Sequence, residues 1–537
     1  MNTREGATNP PELSMLTRRA NLDRMSREEF DIVVIGGGIT GAGVALDAAA
    51  RGLRVALVEK RDFASGTSSR SSKLIHGGLR YLARMQLGLV RESLLERAVL
   101  QRVAPHLARK LPFVVPIYEP PARSPLGSNK LKLSIGLTIY DLLAGRENLG
   151  RHFWLEGAQG IAFAAGLELQ GLRGCFIYYD GLTDDSRLVI EVIKEAAAQG
   201  ALVANYAAAV SVLKNGGNVS GLAIEDSIGK NSLEVRAKVI VNATGVWSDE
   251  VVRMLDHSAK RTLRPSKGIH IVVPHERVPV TSAVLVPSYG EDRFLFVIPW
   301  HGRTLIGTTD ADYDGTLDEP EPDEGEIARV VESTNSCFTR SGLVRSDVIA
   351  AFAGLRPLVS DNGHPTKDLS RKERILETYP RIISVIGGKL TTYRRIAERV
   401  VDRVCRILGK AAESRTANIV LAGGSIPHLD SLEVIRQKAD AYSVEADVVS
   451  HLMRSYGARY ESILQISRES ADLKKRVVQG LLNIEAEFIY ALRYEMATNV
   501  DDLLARRTRI SLLAGKDAPA PDRIAAMIDL VERPEYR

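Results

Sequence analysis

Cysteine is scarce in this chain of 537 residues, which has only Cys175, Cys337 and Cys405. They are far apart, odd in number and form no CxxC pair, so the sequence argues against a disulfide framework and against a zinc site. We therefore expect no bound metal and a reducing compartment. The sequence also lacks an uninterrupted run of about 18 apolar residues, so no membrane-spanning helix is expected. Its polar N-terminus has no apolar stretch of the kind that a secretory signal needs, and we expect a cytoplasmic protein.

A strong excess of either charge is missing as well. Lysine and arginine contribute 71 residues and aspartate and glutamate 66, which gives a net charge of +5. Because no block of basic residues with interleaved aromatics stands out, nucleic-acid binding is not expected. The weak positive bias suits a small anionic substrate or an anionic membrane surface. Apolar residues make up 45% of the chain, enough for the cores of several globular domains of about 150 residues each.

Changes in pattern divide the chain into three regions. Residues 1–30 are interpreted as an N-terminal extension with a short amphipathic helix, and a surface arm is favoured over an interfacial or dimer contact. Residues 31–414 alternate short apolar runs with helical stretches, which is typical of an α/β region. Residues 415–537 are predicted to form a separate helical domain, because helical periodicity recurs over 431–456, 467–482 and 485–496. Thr498-Asn-Val-Asp501 resembles a capping box that opens a helix over 503–513.

The glycines near the start of the α/β region form a specific pattern. Gly36-x-Gly38-x-x-Gly41 follows an apolar strand and opens a helix, and Glu59 ends the next strand. Gly36 permits a tight turn, Gly38 lets a pyrophosphate approach the backbone, and Gly41 lets helix and strand pack closely. The N–H groups at the helix N-terminus favour phosphates, and Glu59 can accept hydrogen bonds from an adenosine ribose. The pattern predicts a dinucleotide site without deciding between NAD and FAD.

Further motifs give the chain a family resemblance. They are IGGGITGAG (35–43), GTSSRSSKLIHGGLRYL (66–82), VNATGVW (241–247), KGIHIVVP (267–274), GTTD (307–310), GLRPLV (354–359) and GGKLTTYR (387–394). From about Phe30 onwards the sequence resembles the FAD-dependent, quinone-linked glycerol-3-phosphate dehydrogenases of bacteria and mitochondria and their relatives, the glycerophosphate oxidases. The resemblance implies a D-amino-acid-oxidase-like α/β fold, in which a two-dinucleotide-binding-type FAD domain is interleaved with a mixed-sheet substrate domain over residues 31–414. It also implies an all-helical C-terminal domain and non-covalent FAD.

The resemblance also implies the residues of the active site. Those expected at FAD, besides Gly36, Gly38, Gly41 and Glu59, are Ser72, Gly245, Lys389, Leu390 and Thr391. Those expected at the substrate are Arg80, Tyr81, Arg371 and Lys389. Arg356 is expected to hold the substrate and to stabilise an oxyanion at its C2 atom, because guanidinium is a rigid bidentate donor. For the base near C2 we favour His76, since histidine titrates near neutral pH, and His270 is the competing candidate.

The activity implied by the resemblance is the oxidation of sn-glycerol 3-phosphate to dihydroxyacetone phosphate, by hydride transfer from C2 to FAD N5. Electrons would pass to a membrane quinone in a dehydrogenase and to oxygen in an oxidase. No long insertion lies between Gly245 and Arg356, which favours the dehydrogenase. An amine or amino-acid oxidase on the same fold is a further alternative, although a carboxylate needs one arginine rather than a cluster of cations. A non-catalytic flavin scaffold would need neither a base nor these cations.

Use of a quinone requires contact with the bilayer, so the protein is expected to associate peripherally with the inner face of the cell membrane. Residues 130–146 are the candidate segment, because Leu131, Ile135, Ile139 and Leu142 fall on one helical face and lysines flank them. The alternative is a core helix, since hydrophobicity extends around the segment. Relatives also suggest a homodimer.

Overall fold

The computed structural model describes residues 13–82, 84–119, 124–260, 262–289, 293–359 and 373–532. Its strands are β1 Glu29–Ile35, β2 Val55–Val58, β3 Leu74–Ile75, β4 Arg109–Tyr118, β5 Phe153–Glu156, β6 Leu172–Leu182, β7 Leu202–Ala204, β8 Ala207–Asn215, β9 Asn218–Asp226, β10 Asn231–Asn242, β11 Ser266–Pro274, β12 Ala283–Pro287, β13 Phe294–Trp300, β14 Arg303–Gly307, β15 Ala311–Asp312, β16 Ala350–Arg356, β17 Arg374–Tyr379 and β18 Ile382–Ile386. Its α-helices are α1 Met15–Arg27, α2 Ile39–Ala50, α3 Leu79–Leu82, α4 Leu87–Val103, α5 Lys130–Ala144, α6 Asp185–Ala198, α7 Ser248–Arg253, α8 Glu324–Cys337, α9 Tyr393–Leu408, α10 Leu432–Tyr442, α11 Ala446–Tyr456, α12 Tyr460–Ile466, α13 Ala486–Tyr494, α14 Ile510–Ala514 and α15 Pro521–Glu532. Within these ranges, no helix combines the length and the apolar character that crossing a membrane requires.

The first sheet places the glycine turn at the carboxyl ends of parallel strands. Its order is β17-β18-β10-β1-β2-β7, and the strands from β18 to β7 run parallel. Its central strands are near-continuous apolar runs because both faces of the sheet are covered. Ile32 and Val34 of β1 share a core with α2, α6 and α9, whereas Val33 and Ile35 belong to the core of the opposite face. The predicted strand–helix–strand unit around the glycines is present.

The second sheet is mostly antiparallel. Its order is β15-β11-β14-β13-β12-β4-β6-β3, with β16 paired to β11 and β5 paired to β6. β11 and β16 pair along their length, with Ser266 opposite Arg356 and His270 opposite Phe352. This register brings Arg356 and His270, which are far apart in sequence, to the same part of the sheet.

Helix α1 packs against the first sheet rather than projecting from it. Arg18 is fully buried, and it donates to the Asn205 carbonyl at 2.8 Å and to Asp226 Oδ1 at 2.5 Å. Leu22 and Met25 belong to the same apolar core as β1. The surface arm favoured from the sequence is therefore wrong for this helix, because a distant carboxylate neutralises Arg18 and allows it to be buried.

The C-terminal helices α10 to α13 share one apolar core. The periodic segment 431–456 forms two helices instead of one, because Ser443 adopts a positive φ of 53° between α10 and α11. The helix predicted over 467–482 is wrong. That stretch consists mainly of turns, and Arg476 forms an isolated bridge with Ile484. Apolar periodicity alone therefore overestimates the length of the helices here.

The segment after Thr498 joins the C-terminal region to the glycine-turn half of the molecule. Thr498 donates to Asp502 Oδ2, one residue beyond the carboxylate predicted for the cap, and a π-helix, Asp502–Arg507, precedes α14. Arg506 and Arg507 donate to the buried carboxylate of Asp62 at 2.6 and 2.7 Å. Asp62 follows β2 closely, so the last part of the chain fixes the loop after that strand.

Candidate active site

The glycine turn between β1 and α2 leaves almost no space for side chains. Gly36 has φ +109°, and a Cβ there would lie 2.7 Å from the carbonyl oxygen of Ala243. A Cβ on Gly41 would lie 1.9 Å from the carbonyl oxygen of Gly36. Gly38 precedes the first turn of α2, and a Cβ there would meet only the side chain of Ser68, at 3.1 Å from its Oγ. The fold itself therefore requires Gly36 and Gly41, whereas Gly38 borders open space at the helix N-terminus.

Glu59 lies directly after β2 and anchors two loops. Its carboxylate accepts hydrogen bonds from the backbone N–H groups of Gly37 at 2.6 Å and Arg61 at 2.9 Å. Burial raises the pKa of Glu59, although both N–H groups and the charge of Lys60 act in the opposite direction. Lys60 lies over the ring of Trp247, with Nζ 4.2 Å from the ring centroid. These side chains form one wall of the cleft described next.

A cleft of about 1300 Å³ lies at the carboxyl ends of β1, β10 and β18, which is where open α/β sheets bind nucleotides. Among the predicted cofactor residues it is lined by Gly36, Gly38, Glu59, Gly245, Lys389 and Leu390. The donor set fits FAD. The open backbone at Gly38 and the N-terminus of α2 suit a pyrophosphate, and the Glu59 carboxylate suits ribose hydroxyls. Gly41 does not line the cleft but keeps α2 close to the turn.

A second cavity, of about 1530 Å³, adjoins the cleft. The two share the lining residues Thr67, Ser71, Pro357, Gly387, Gly388, Lys389 and Leu390, so ligands in the two spaces can touch. The predicted site residues that line the second cavity are Ser72, His76, Tyr81, His270, Arg356, Lys389, Leu390 and Thr391. Arg371 lies outside the described residues, and so does the side chain of Arg80, whose backbone is in α3.

Oxygen atoms hold Arg356 in place at the end of β16. Its Nη2 donates to Thr308 Oγ1 at 2.9 Å and to the Thr309 carbonyl at 3.1 Å, and its Nη1 lies 3.3 Å from Asp310 Oδ1. Asp310 also forms an ion pair with Arg293, so one carboxylate fixes two guanidinium groups at the cavity wall. Sequence reasoning missed Arg293, Thr308 and Asp310 as site residues. The GTTD motif carried a signal for the last two, but nothing in the local sequence marks Arg293.

His270 is a buried residue of the cavity wall, with an exposed fraction of 2%. Its Nε2 lies 2.9 Å from Ser72 Oγ, its Nδ1 has no partner among the described residues, and its ring stacks on Phe352. Burial, followed by the charges of Lys73 and Arg356, holds the pKa of His270 well below its usual range. The imidazole is therefore neutral at pH 7, and protonation at this position is costly.

His76 is half-buried and lines the same cavity. Its backbone N–H donates to Thr391 Oγ1 at 3.1 Å, which ties the HGGLRY segment to the turn before α9. Lys389 Nζ lies 3.7 Å from the ring centroid of Tyr81 and 3.4 Å from Ser93 Oγ. Through these contacts, two segments that are far apart in sequence form one polar wall beside the cleft.

Comparison with known proteins agrees with the geometry. The model of the family "FAD dependent oxidoreductase" matches residues 31–403, and that of the "C-terminal domain of alpha-glycerophosphate oxidase" matches residues 414–531. The chain is 36% identical to a glycerol-3-phosphate dehydrogenase of Mycobacterium leprae, over 92% of this chain and 83% of that protein. It is 35% identical to an aerobic glycerol-3-phosphate dehydrogenase of Staphylococcus saprophyticus, over 92% of this chain and 89% of that protein.

A solved structure extends the similarity to the whole fold. The glycerol-3-phosphate dehydrogenase from Bacillus halodurans, complexed with FAD, superposes with a TM-score of 0.77 at 30% identity, over 97% of this chain and 95% of that one. The predictions of a D-amino-acid-oxidase-like fold, of a helical C-terminal region and of FAD as cofactor are confirmed. The chain belongs to the family of FAD-dependent glycerol-3-phosphate dehydrogenases.

Proposed function

We propose that this protein oxidises sn-glycerol 3-phosphate to dihydroxyacetone phosphate, with FAD as the hydride acceptor. The observation that carries the proposal is the group of cationic side chains, Arg293, Arg356 and Lys389, on the wall of the cavity that adjoins the FAD cleft. Several cations match a dianionic phosphate ester, whereas the carboxylate of an amino acid needs one arginine. The names of the relatives support the same substrate.

Arg356 is suited to hold the oxygen on C2 of the substrate. Thr308 and Asp310 fix its guanidinium, so its donors keep their positions while negative charge develops on that oxygen. A donor that is already oriented stabilises the developing charge without a cost of reorganisation. The substrate phosphate is assigned to Arg80 and Arg371, as the family resemblance implies, and Arg293 and Lys389 add positive charge to the cavity that would receive it.

His76 is the proposed base that takes the proton from the C2 hydroxyl. It lines the cavity and is only half-buried, so an imidazolium there keeps partial access to water. His270 is the poorer base, because its pKa is well below the usual range and two neighbouring cations oppose its protonation. Its hydrogen bond with Ser72 suits a positioning role on the wall of the cavity.

The residues around the glycine turn would hold FAD. The backbone at Gly38 and the N-terminus of α2 would bind the pyrophosphate, and Glu59 the ribose hydroxyls. The turn at Gly387 and Gly388, both with positive φ, allows the backbone to approach a flat ring. When bound, FAD supplies the hydride acceptor and passes the electrons to a second acceptor.

Anaerobic mixing of the FAD-loaded protein with sn-glycerol 3-phosphate tests the activity. We expect the visible absorbance of the oxidised flavin to bleach, and sn-glycerol 1-phosphate serves as the matched control because it differs only in configuration. Fast recovery of the colour with a quinone analogue and slow recovery with air is the expected result for a dehydrogenase. Fast recovery with air would indicate an oxidase. Persistent colour with excess substrate would contradict the proposed substrate.

A peripheral contact with the inner face of the cell membrane is also proposed, with α5 as the contact surface. One face of the helix packs inward through Leu133, Leu137, Tyr140 and Ala144. The opposite face exposes apolar side chains, with exposed fractions of 71% at Leu131, 53% at Ile135 and 73% at Leu142. A soluble surface rarely concentrates apolar side chains in this way. The two faces explain why the hydrophobicity extends around the helix.

The same surface continues towards the active site, which supports a membrane quinone as the acceptor. Met85 is 76% exposed and follows α3, which packs against α5. Tyr81 of α3 lines the substrate cavity. A quinone that enters from the bilayer at α5 would therefore be separated from the wall of the active site only by the short helix α3.

Cosedimentation with anionic phospholipid vesicles tests the membrane surface. The double variant Leu131→Glu/Leu142→Glu is expected to remain in the supernatant, because each exposed leucine would otherwise enter the lipid interface. The matched control is Leu432→Glu, since Leu432 of α10 is 69% exposed but lies on a different helix. Equal sedimentation of the double variant and the wild type would contradict α5 as the contact surface.

A further inference from the structure

A separate cavity of about 880 Å³ lies between the C-terminal helices and the strands of the second sheet. It shares no lining residue with the cleft or the substrate cavity. Its ionisable side chains are His106, Arg109, Asp184, His301, Asp447, His451 and Arg454. The first four come from the core of the molecule, and the last three come from α11. The cavity is therefore a polar space between two parts of the chain, and neither FAD nor the substrate accounts for it.

His106 in this cavity is a buried side chain without a partner. Its exposed fraction is 1%, and neither ring nitrogen has a hydrogen-bond partner among the described residues. Its ring is packed firmly, because a Cβ on Gly423 would lie 2.8 Å from Nε2. Burial first, and then nearby cations, lower the pKa of His106 to about 4. The neutral ring has one N–H to donate, and a buried donor that remains unpaired is costly.

Arg109, the first residue of β4, has a guanidinium without a close counterion. Within the described part of the chain it forms no side-chain hydrogen bond and no ion pair, and it lines the cavity. The two carboxylates whose charges act on Arg109 are already engaged, since Asp184 lies 2.8 Å from Arg509 Nη1 and Asp430 lies 3.1 Å from Arg454 Nη2. Burial and the charge of Arg454 lower the pKa of Arg109. A guanidinium in such surroundings favours an anion supplied from outside.

We propose that this cavity binds a small dianionic oxyanion of the phosphate class. Arg109 on the core side supplies a guanidinium that is unpaired within the described residues, and Arg454 on α11, which shares its charge with Asp430, supplies a second one. Two guanidinium groups match the several oxygens of a phosphate. The imidazole of His106 supplies a further N–H donor at the same wall, whereas His301 Nε2 already lies 3.4 Å from Asp184 Oδ2. The carboxylates of Asp184 and Asp447 do not repel the anion strongly, because Arg509 pairs with Asp184 and Arg476 pairs with Asp447. The bound anion bridges the core and the C-terminal helices.

Equilibrium dialysis of the FAD-loaded, full-length protein with radiolabelled inorganic phosphate tests the site. Phosphate can also enter the substrate cavity. The test therefore compares how much phosphate the wild type and Arg109→Gln bind, because only the phosphate in the proposed site depends on Arg109. The wild type is expected to bind one equivalent more than Arg109→Gln, or to bind it at least about tenfold more tightly. Arg173→Gln is the matched control, since Arg173 lies on the exposed surface. Equal stoichiometry and affinity in wild type and Arg109→Gln would overturn the proposal.

A second variant keeps the test valid if Arg109→Gln folds poorly. Arg454→Gln changes a half-exposed residue of α11 and is expected to weaken the same phosphate without lowering the thermal midpoint of the phosphate-free protein. In both variants, sn-glycerol 3-phosphate should bleach the flavin as it does in the wild type. A failure of the proposed phosphate site can therefore be distinguished from a failure of the proposed activity. Competition by methyl phosphate would show that the site accepts phosphomonoesters. A lack of competition would show that the site accepts only free phosphate.

Discussion

Replacement of Gly38 by alanine separates the binding of FAD from the stability of the fold. A Cβ at this position meets only the Ser68 side chain, at 3.1 Å, so the FAD-free protein can accept it after a small rotation of that side chain. The same methyl group occupies the space in which a pyrophosphate would approach the N–H groups of α2. The loss of one hydrogen bond to a charged group costs roughly 1.5–3 kcal/mol, which corresponds to a dissociation constant raised by roughly 10- to 150-fold.

The assay measures two quantities for each variant, the dissociation constant of FAD and the thermal midpoint of the FAD-free protein. Gly38→Ala should raise the first and leave the second nearly unchanged. Gly41→Ala should impair both, because its Cβ would lie 1.9 Å from a backbone carbonyl that cannot rotate away. Gly88→Ala is the control, since a Cβ there meets nothing within 4 Å. FAD binding by Gly38→Ala as tight as that of the wild type would refute the reasoning.

For three further substitutions, the structure predicts the direction of the effect. Asp62→Ala leaves the buried Arg507 without its closest carboxylate, while Arg506 keeps Asp501 and Asp502. The change should lower the free energy of unfolding by about 3–5 kcal/mol in urea titration. Burial alone would raise the pKa of Glu495, but Arg187 and a lysine lower it to about 2. Its stabilisation is therefore complete above its unfolded value near 4.5 and is lost as the pH falls towards 2. Glu495→Gln should make the thermal midpoint less dependent on pH between pH 5 and 3. A pH dependence equal to that of the wild type would contradict this assignment. His76→Asn should slow flavin reduction by about 10²- to 10⁴-fold at saturating substrate in stopped-flow traces, whereas His270→Asn should slow it much less.

The cofactor half of the site could be predicted from the sequence because its determinants are local. A strand, three glycines at fixed spacing and a carboxylate after the next strand lie within residues 29–59, and the structure shows a steric reason for Gly36 and Gly41 and open space at Gly38. The spacing alone defines the turn. The family motifs then identify the second glycine turn and the residues that line the adjoining cavity.

The contacts that lie far apart in sequence could not be predicted. Arg293 and Asp310 meet because β13, β14 and β11 are neighbours in the sheet, and neither residue alone indicates that pairing. Arg18 looked like a surface residue because charge in an amphipathic helix usually faces water, and only its contact with Asp226 makes burial favourable. In the C-terminal region, the periodic pattern over 467–482 could not distinguish a helix from packed turns.

The ion pairs between Asp62 and the arginines at 506 and 507 also bear on when the FAD site can form during synthesis. The strand, the glycine turn and Glu59 are made early, but the loop after Glu59 acquires its counterions only when the last tenth of the chain has left the ribosome. Until then, Asp62 has Asn205 as a hydrogen-bond donor but lacks both arginines. We therefore expect capture of FAD to be a late event in biogenesis that follows completion of the chain.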